Sequence, residues 1–219
     1  MLLEFLKSKF GPGKPIFTED AEPLGLSAGN LRQQFKKLVD AGELSRFEPG
    51  VYFLPDPNHE YYPISSNMVA EYKYITDGDE IYGYYSGYTF ANQLGLCLQV
   101  PYKAEIVTNN STAIAREVKV GHTPYYIRRA KIAVTKENRN VLQLLDLLKD
   151  VEEYTDYCCE EEAPDIIRRH ILRNKILRAD VDKYIENFPL KTYKYIYDLR
   201  LYDVLAWRQT PFQKNNSRC

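Results

Sequence analysis

The chain has 219 residues, of which 44% are hydrophobic and 27% are charged, and its formal net charge is −1. This composition is typical of a globular protein with one large domain or two smaller ones. No run of about 18 apolar residues occurs, and the start MLLEFLKSKF is too short and too charged for a signal peptide, so we expect a cytoplasmic protein without a membrane span. The four cysteines form no C-x-x-C pair and are expected to be reduced thiols.

The first 57 residues show a helical pattern followed by a hairpin pattern. Helices are predicted at 2–10, at 18–25 and at 27–41 from apolar spacing and from the capping and breaking residues at their ends. Two short strands are predicted at 44–47 and 51–54, joined by a Glu-Pro-Gly turn. This order of elements predicts a winged helix-turn-helix at residues 1–57.

The helix at 27–41 has one apolar face and one polar face. Ser27 is expected to cap it, and Leu31, Phe35 and Val39 recur at helical spacing on the apolar face. Asn, Gln and Lys on the opposite face can hydrogen-bond base edges and phosphates, so this helix could lie in a major groove. The predicted DNA-binding residues are Ser27, Asn30, Arg32, Gln33, Gln34, Lys36, Lys37 and Arg46.

The charges of this region leave two partner classes open. Residues 1–57 contain seven Lys and Arg against eight Asp and Glu, which is not the basic footprint of a strong DNA binder. Residues 26–46 hold four cations against two carboxylates, so the local field at the polar face is positive. DNA is the expected partner, and a winged-helix module for protein interaction is the alternative.

Beyond a linker predicted at Pro55 to Tyr61, the pattern changes to alternating and clustered β-branched and aromatic residues. Strands are predicted at 72–76, 82–85, 104–110, 116–120 and 125–132. One helix, Ser86 to Leu94, is expected to interrupt them and to end at Gly95, and Gly121 is expected to turn a hairpin. A mixed domain is therefore predicted at residues 58–150.

The rest of the chain is predicted to be helical. Thr135 is expected to cap a helix that carries Val141, Leu144, Leu145 and Leu148, and further helices are expected near 164–176, 180–187 and 190–206. The last of these is expected to bury one face, formed by Tyr193, Ile196, Tyr197, Leu201, Val204 and Leu205. The fold class is thus α+β, with a helical C-terminal extension at residues 151–219.

Four segments, taken in this order, carry a resemblance to a known family. They are GVYFLP at 50–55, GYYSGYTFANQLGL at 83–96, AEIVTNN at 104–110 and TKENRNVLQLLDLLKD at 135–150. With the preceding winged-helix pattern, they resemble the AbiEi family, the antitoxins of type IV toxin-antitoxin systems. The resemblance covers about residues 1–150.

The resemblance implies a bacterial, phage-defence regulator with two roles. Its winged helix would bind its own promoter DNA, with inverted repeats as the expected operator, and repress transcription. Its later domain would oppose a cognate nucleotidyltransferase-type toxin, directly or indirectly. Family members often show a second basic face, which is expected here at Arg116, Lys119, Arg128, Arg129 and Lys131.

Catalytic chemistry is expected to be absent, with no cofactor and no metal. The one pattern that suggests otherwise is Glu117-Val118-Lys119, an E-x-K on a predicted strand, with Glu105 on the preceding strand. Two carboxylates and a lysine on adjacent strands could hold a metal ion and a water for phosphodiester cleavage. A DNA-targeted, metal-dependent nuclease is therefore the enzymatic alternative, although a solvent-facing strand produces E-x-K often by chance.

Overall fold

The computed structural model describes residues 1–56, 64–155 and 161–206 and shows a mixed α/β protein. The chain divides into two compact units, one of residues 1–73 with 118–124 and one of residues 74–117 with 125–219. Most of the predicted linker at Pro55 to Tyr61 lies outside the described residues. In the described part of the chain, no helix is long and apolar enough to cross a membrane.

The first unit is built from short helices around a small sheet. Its elements are α1 (Leu2–Lys9), β1 (Ile16–Phe17), a 3₁₀ helix (Thr18–Leu24), α2 (Ala28–Asp40), β2 (Ser45–Glu48), β3 (Val51–Phe53) and α3 (Ser66–Tyr74). The strands are antiparallel and lie in the order β1-β3-β2. The helices therefore flank a three-stranded sheet in which the first strand pairs with the last.

Local sequence signals set the ends of α2. The Ser27 side chain accepts the backbone N–H of Asn30, as expected of an N-cap, and the helix stops before Gly42, which has a φ of 72°. Leu31 and Phe35 are buried, and the Phe35 ring stacks on Tyr52 with 4.5 Å between centroids. The predicted helix and hairpin are confirmed as elements.

The second unit contains a four-stranded sheet and most of the helices. Its elements are β4 (Thr76–Asp77), β5 (Glu80–Ile81), β6 (Gly83–Ser86), α4 (Gly87–Leu94), β7 (Ala104–Thr108), β8 (Ala115–Val120), β9 (Thr123–Arg129), α5 (Arg139–Leu148), α6 (Val151–Thr155), α7 (Ala163–Asn174), α8 (Arg178–Tyr184), a second 3₁₀ helix (Ile185–Asn187), α9 (Leu190–Asp198) and α10 (Tyr202–Ala206). The main sheet has the order β6-β7-β9-β8. β7 is antiparallel to β6 and parallel to β9, and the hairpin tip at 118–124 groups with the first unit.

One apolar core joins α4, α5 and the helices that follow residue 150. Every residue of α5 from Val141 to Leu148 is buried. Ile167 and Ile171 of α7, together with Leu201 and Leu205, belong to the same cluster as the leucines of α5. The described helices after residue 150 therefore complete the core of the second unit.

Three sequence predictions are corrected at the level of elements. The strand predicted at 72–76 is wrong, because α3 continues to Tyr74 and buries Val69, Ala70 and Tyr74 at helical spacing. The helix expected from Thr135 begins only at Arg139, and the Thr135 hydroxyl donates to the Glu137 side chain.

The helix predicted at 190–206 is also divided. α9 and α10 are separated near Arg200, which has a φ of 52°. Tyr193 and Tyr197, both expected to be buried, are 42% and 72% exposed. Thr192 and Tyr195 are the residues of α9 that are buried.

Gly83 provides a test of the backbone packing at β6. A Cβ atom at this position would lie 2.0 Å from the carbonyl oxygen of Tyr74 and 2.7 Å from that of Val107. Because both obstacles are backbone, we expect Gly83→Ala to destabilise the protein by about 3 kcal/mol. Equilibrium urea unfolding followed by circular dichroism measures the change.

Gly29→Ala is the matched control. Gly29 lies on α2 and no atom is within 4 Å of its added Cβ, so a gain of roughly 0.5–1 kcal/mol is expected from helix propensity. Equal effects of the two substitutions would contradict the close backbone approach at Gly83.

Candidate functional site

The side chains predicted to bind DNA are brought together by α2 and the hairpin of β2 and β3. We define the α2 surface as the exposed side chains of Asn30, Arg32, Gln33, Lys36, Lys37 and Arg46. Because the apolar residues of α2 face the core, its amides and cations face outward. Arg46 on β2 adds a cation from the hairpin.

Two of the predicted residues hold the start of α2 in place. The Ser27 hydroxyl accepts the N–H of Asn30 at 3.3 Å, and Nε2 of Gln34 donates to Oδ1 of Asn30 at 3.0 Å. The first bond holds the Asn30 backbone at the helix start, and the second positions its side chain on the first turn. Gln33 is the amide of the α2 surface that makes no hydrogen bond to another described residue.

Two lysines elsewhere in the first unit lie within salt-bridge distance of a carboxylate, and the cations of the α2 surface do not within the described residues. Lys7 forms a salt bridge with Glu43 at 3.1 Å, and Lys9 lies 4.0 Å from a carboxylate oxygen of Asp20. Among the described residues, no salt bridge reaches Arg32, Lys36, Lys37 or Arg46. These four charges are therefore available to an anionic partner.

A groove of about 890 Å³ runs between α2, the first 3₁₀ helix and the hairpin. Arg32, Lys36 and Arg46 line it from α2 and β2. Its lining also includes three carboxylates, Glu19, Glu22 and Asp40. The groove therefore contains three cations and three carboxylates, and Lys37 is the cation of the α2 surface that lies outside its lining.

Three of the five residues predicted to form a second basic face come together in the second unit. Arg128 and Arg129 of β9 and Lys131 line one cleft. Arg116 and Lys119 lie on β8 and are not part of its lining. The side chain of Arg128 is 26% exposed and ion-paired. Lys131 follows β9 and is exposed.

The second unit contains a buried polar cluster that was not expected from the sequence. We define the Asp146 cluster as Ser86, Arg128, Asp146 and Lys149. The Asp146 carboxylate accepts from the Ser86 hydroxyl, from Arg128 at 2.9 Å and from Lys149 at 2.5 Å. Arg128 also donates to the Ser86 hydroxyl at 2.5 Å. Strand β6, strand β9 and helix α5 are therefore tied together by one carboxylate.

The environment of Asp146 sets its protonation. Burial alone would raise the pKa of this carboxyl, but the charges of Arg128 and Lys149 hold the pKa below its usual value. Only 6% of the Asp146 side chain is exposed. The carboxylate is thus ionised in the folded protein, and an aspartate between two leucine pairs, in the run LLDLL at 144–148, was the available sequence signal.

The Glu105 carboxylate, on β7, contacts the start of α4. Burial raises the pKa of this carboxyl, and the charge of Arg128 opposes the shift. The carboxylate lies against Gly87, where an added Cβ would come within 2.2 Å of it, and it accepts the backbone N–H of Tyr88. It thereby satisfies a donor at the start of α4.

The geometry assumed for the nuclease alternative is wrong. β9 lies between β7 and β8, so Glu105 and Glu117 are not on adjacent strands. Glu117 forms a salt bridge with Lys103 instead. In residues 1–56, 64–155 and 161–206, no group of three or more His, Cys, Asp and Glu side chains is arranged to hold a metal ion.

Comparison with known proteins found no family model and no curated protein that matches the chain.

The Asp146 cluster predicts a pH-dependent stability difference. Asp146→Asn should cost about 3 kcal/mol at pH 7, because two cations lose a buried partner. A lowered carboxyl pKa stabilises the fold above the ordinary aspartate pKa, and this contribution is lost as the pH falls through the folded-state value. The difference from wild type should therefore shrink below about pH 4. Urea unfolding at several pH values measures it.

Asp182→Asn is the control for this experiment. Asp182 pairs with Arg178 on α8 at 3.4 Å, and its side chain is 60% exposed. Its replacement should change the stability by less than about 0.5 kcal/mol. A pH-independent loss in Asp146→Asn would show that lost packing, and not charge, causes the effect.

Proposed function

We propose that this protein is a DNA-binding antitoxin of the AbiEi type. In this proposal the N-terminal unit represses the promoter of its own operon, and the second unit opposes a cognate nucleotidyltransferase-type toxin. The observation that carries the DNA-binding half is the α2 surface, which combines exposed amides with four cations that no described carboxylate neutralises.

The order of elements in the first unit supports a winged helix-turn-helix. α1, β1, the 3₁₀ helix, α2 and the β2-β3 hairpin follow one another as helix, strand, helix, helix and wing, and β1 closes the sheet against β3. In that fold the helix before the wing is the one that enters the major groove. α2 has 13 residues. The major groove of B-DNA is wide enough to admit an α-helix with its side chains.

Each residue of the α2 surface then has a distinct role. Gln33, whose amide is not engaged, is placed to make a bidentate contact with an adenine edge. Lys36 and Lys37 neutralise phosphates, and Arg46 on the hairpin contacts the adjacent backbone. Asn30 is held by Ser27 and Gln34 and presents its amide at the first turn.

The antitoxin half of the proposal rests on the resemblance of four segments. Two of them, 83–96 and 135–150, form β6, α4 and α5, which pack against one another in the second unit. The Gln143 side chain donates to the carbonyl of Tyr85 at 2.8 Å, and Ser86 bonds Asp146. Segments that resemble the family thus meet in one core, which supports a common fold over this part of the chain.

A protein partner for the first unit is the second candidate. Glu19, Glu22 and Asp40 line the same groove as Arg32 and other cations, and a groove of mixed charge suits a protein surface. The DNA experiment decides between the two candidates.

Two substitutions on α2 should impair DNA binding in different ways. Gln33→Ala should cost roughly 1–3 kcal/mol on the promoter of the chain's own operon while sparing random DNA, because a base contact discriminates only among sequences. Lys37→Ala should weaken all DNA about equally and lower the magnitude of the salt slope by about 1. Fluorescence anisotropy at several salt concentrations measures both.

Lys183→Ala is the matched control, since this lysine is exposed on α8 and its replacement changes the net charge equally. It should leave affinity and salt slope unchanged. Wild-type binding by both α2 variants would exclude this surface as the DNA site and favour the protein partner.

The two proposed roles should also separate in cells. The full-length double variant Gln33→Ala/Lys37→Ala should derepress a reporter on its own promoter, yet still protect cells from the nucleotidyltransferase toxin supplied from a second plasmid. This is expected because the α2 surface belongs to the first unit only. Loss of protection at equal protein levels would mean that neutralisation requires DNA binding.

A further inference from the structure

A cleft of about 680 Å³ lies within the second unit, between its sheet and α5. Tyr84, Val107 and Arg128 form a row across β6, β7 and β9, since Tyr84 pairs with Val107 and Val107 with Arg128. Leu142, Asp146 and Lys149 face this row from α5, spaced as one side of a helix. The volume of the cleft falls within the range of roughly 300–1,000 Å³ that is typical of small-molecule sites.

The lining of the cleft combines an apolar part with a cationic part. Val107 and Leu142 of the apolar part belong to one buried cluster, and Ile132 and Phe188 pack against it. The cationic part consists of Arg128, Arg129, Lys131 and Lys149. Asp146 is the one carboxylate among the described lining residues, so the lining carries an excess of positive charge.

The cations of the cleft are prepared for a ligand. Asp146 fixes Arg128 and Lys149, and the Lys149 ammonium also lies 3.8 Å from a carboxylate oxygen of Asp150. A guanidinium has five N–H donors and an ammonium has three, so Arg128 retains several donors and Lys149 retains at least one. Lys131 is exposed and forms no salt bridge within the described residues. Phosphate oxygens are the acceptors that such a set of donors binds best.

We propose that this cleft binds a nucleoside phosphate. The phosphates contact Lys131 and the remaining donors of Arg128 and Lys149, and the base lies against the apolar part near Leu142 and Phe188. A nucleotide combines a polyanionic end with a flat, weakly polar body, which matches the two parts of the cleft. This site belongs to the second unit and does not depend on the DNA-binding proposal.

The shared chemistry could come from a free nucleotide or from the terminal nucleotide of an RNA strand. Calorimetric titration of the full-length protein with ATP, with inorganic pyrophosphate and with a 12-residue RNA distinguishes these sources. We expect ATP to bind more tightly than pyrophosphate, because pyrophosphate lacks the body that fills the apolar part. ATP should also raise the melting temperature of the protein.

Charge variants test the phosphate contact. Lys131→Gln should weaken ATP binding roughly tenfold, as expected for a lost charge-assisted hydrogen bond, and Lys131→Glu should weaken it further. Lys136 is exposed five residues later and does not line the cleft, so Lys136→Gln and Lys136→Glu are matched controls that should bind like wild type.

A steric variant tests the location without changing charge. Ala115 is exposed and lines the cleft, so Ala115→Trp should abolish ATP binding. Ala133→Trp is the control, since Ala133 is exposed outside the lining. Circular dichroism confirms that each variant is folded.

Several results would overturn the proposal. It fails if ATP does not bind at millimolar concentration, or if pyrophosphate binds as tightly as ATP, which would leave an anion site without a base. It also fails if Lys131→Glu and Lys136→Glu weaken binding equally. RNA binding that Ala115→Trp abolishes, with no binding of free ATP, would assign the cleft to an RNA end and refute a free nucleotide.

Discussion

The carboxylate of Asp146 is the constraint around which the second unit is organised. It sits on α5, whose residues from Val141 to Leu148 are all buried, and it is ionised because Arg128, Lys149 and Ser86 surround it. An unpaired charge in this position would cost several kcal/mol, so the fold must deliver all three partners at once. The need to pair this carboxylate therefore constrains how β6, β9 and α5 are positioned relative to one another.

Because α5 is buried on every side, other elements must pack against all of its sides. The sheet and α4 cover part of α5, and apolar side chains of α7, α8 and the last helices cover the rest, with Ile167, Val181 and Leu205 in the same cluster. The described helices after residue 150 therefore belong to the same core as α4 and α5. Removing the helices after residue 150 would expose the leucines of α5 to water, so this part of the chain is a requirement of the fold.

Signals that act over a few residues were sufficient to predict many of the elements. Ser27 caps α2, Gly95 ends α4 in the left-handed conformation and Gly121 turns the hairpin of β8 and β9, as their local chemistry indicated. Each of these effects depends only on neighbouring backbone groups. A pattern in the sequence is therefore reliable where its physical cause is equally local.

Two of the predictions that failed depended on distant partners. The tyrosines near residue 74 favour a strand by propensity, but the segment is helical through Tyr74, with Ala70 and Tyr74 buried on one helical face. Strand periodicity could not show that β9 pairs in parallel with β7, and this pairing separates Glu105 from Glu117. Tertiary contacts overrode local preference at these sites.

The same limitation applies to the candidate sites, because a sequence shows which residues are charged but not which of them form ion pairs. Arg128 and Lys37 are both cations in segments with local positive charge, and both were predicted to face a partner. Arg128 is held by a buried carboxylate, whereas Lys37 is exposed on α2 and pairs with no described carboxylate. The first contributes to the stability of the fold and retains only part of its donors for a ligand, while the second has its whole charge available for a phosphate. The net charge of −1 therefore indicates little about binding, and the distribution of neutralising partners decides which surface can bind an anion.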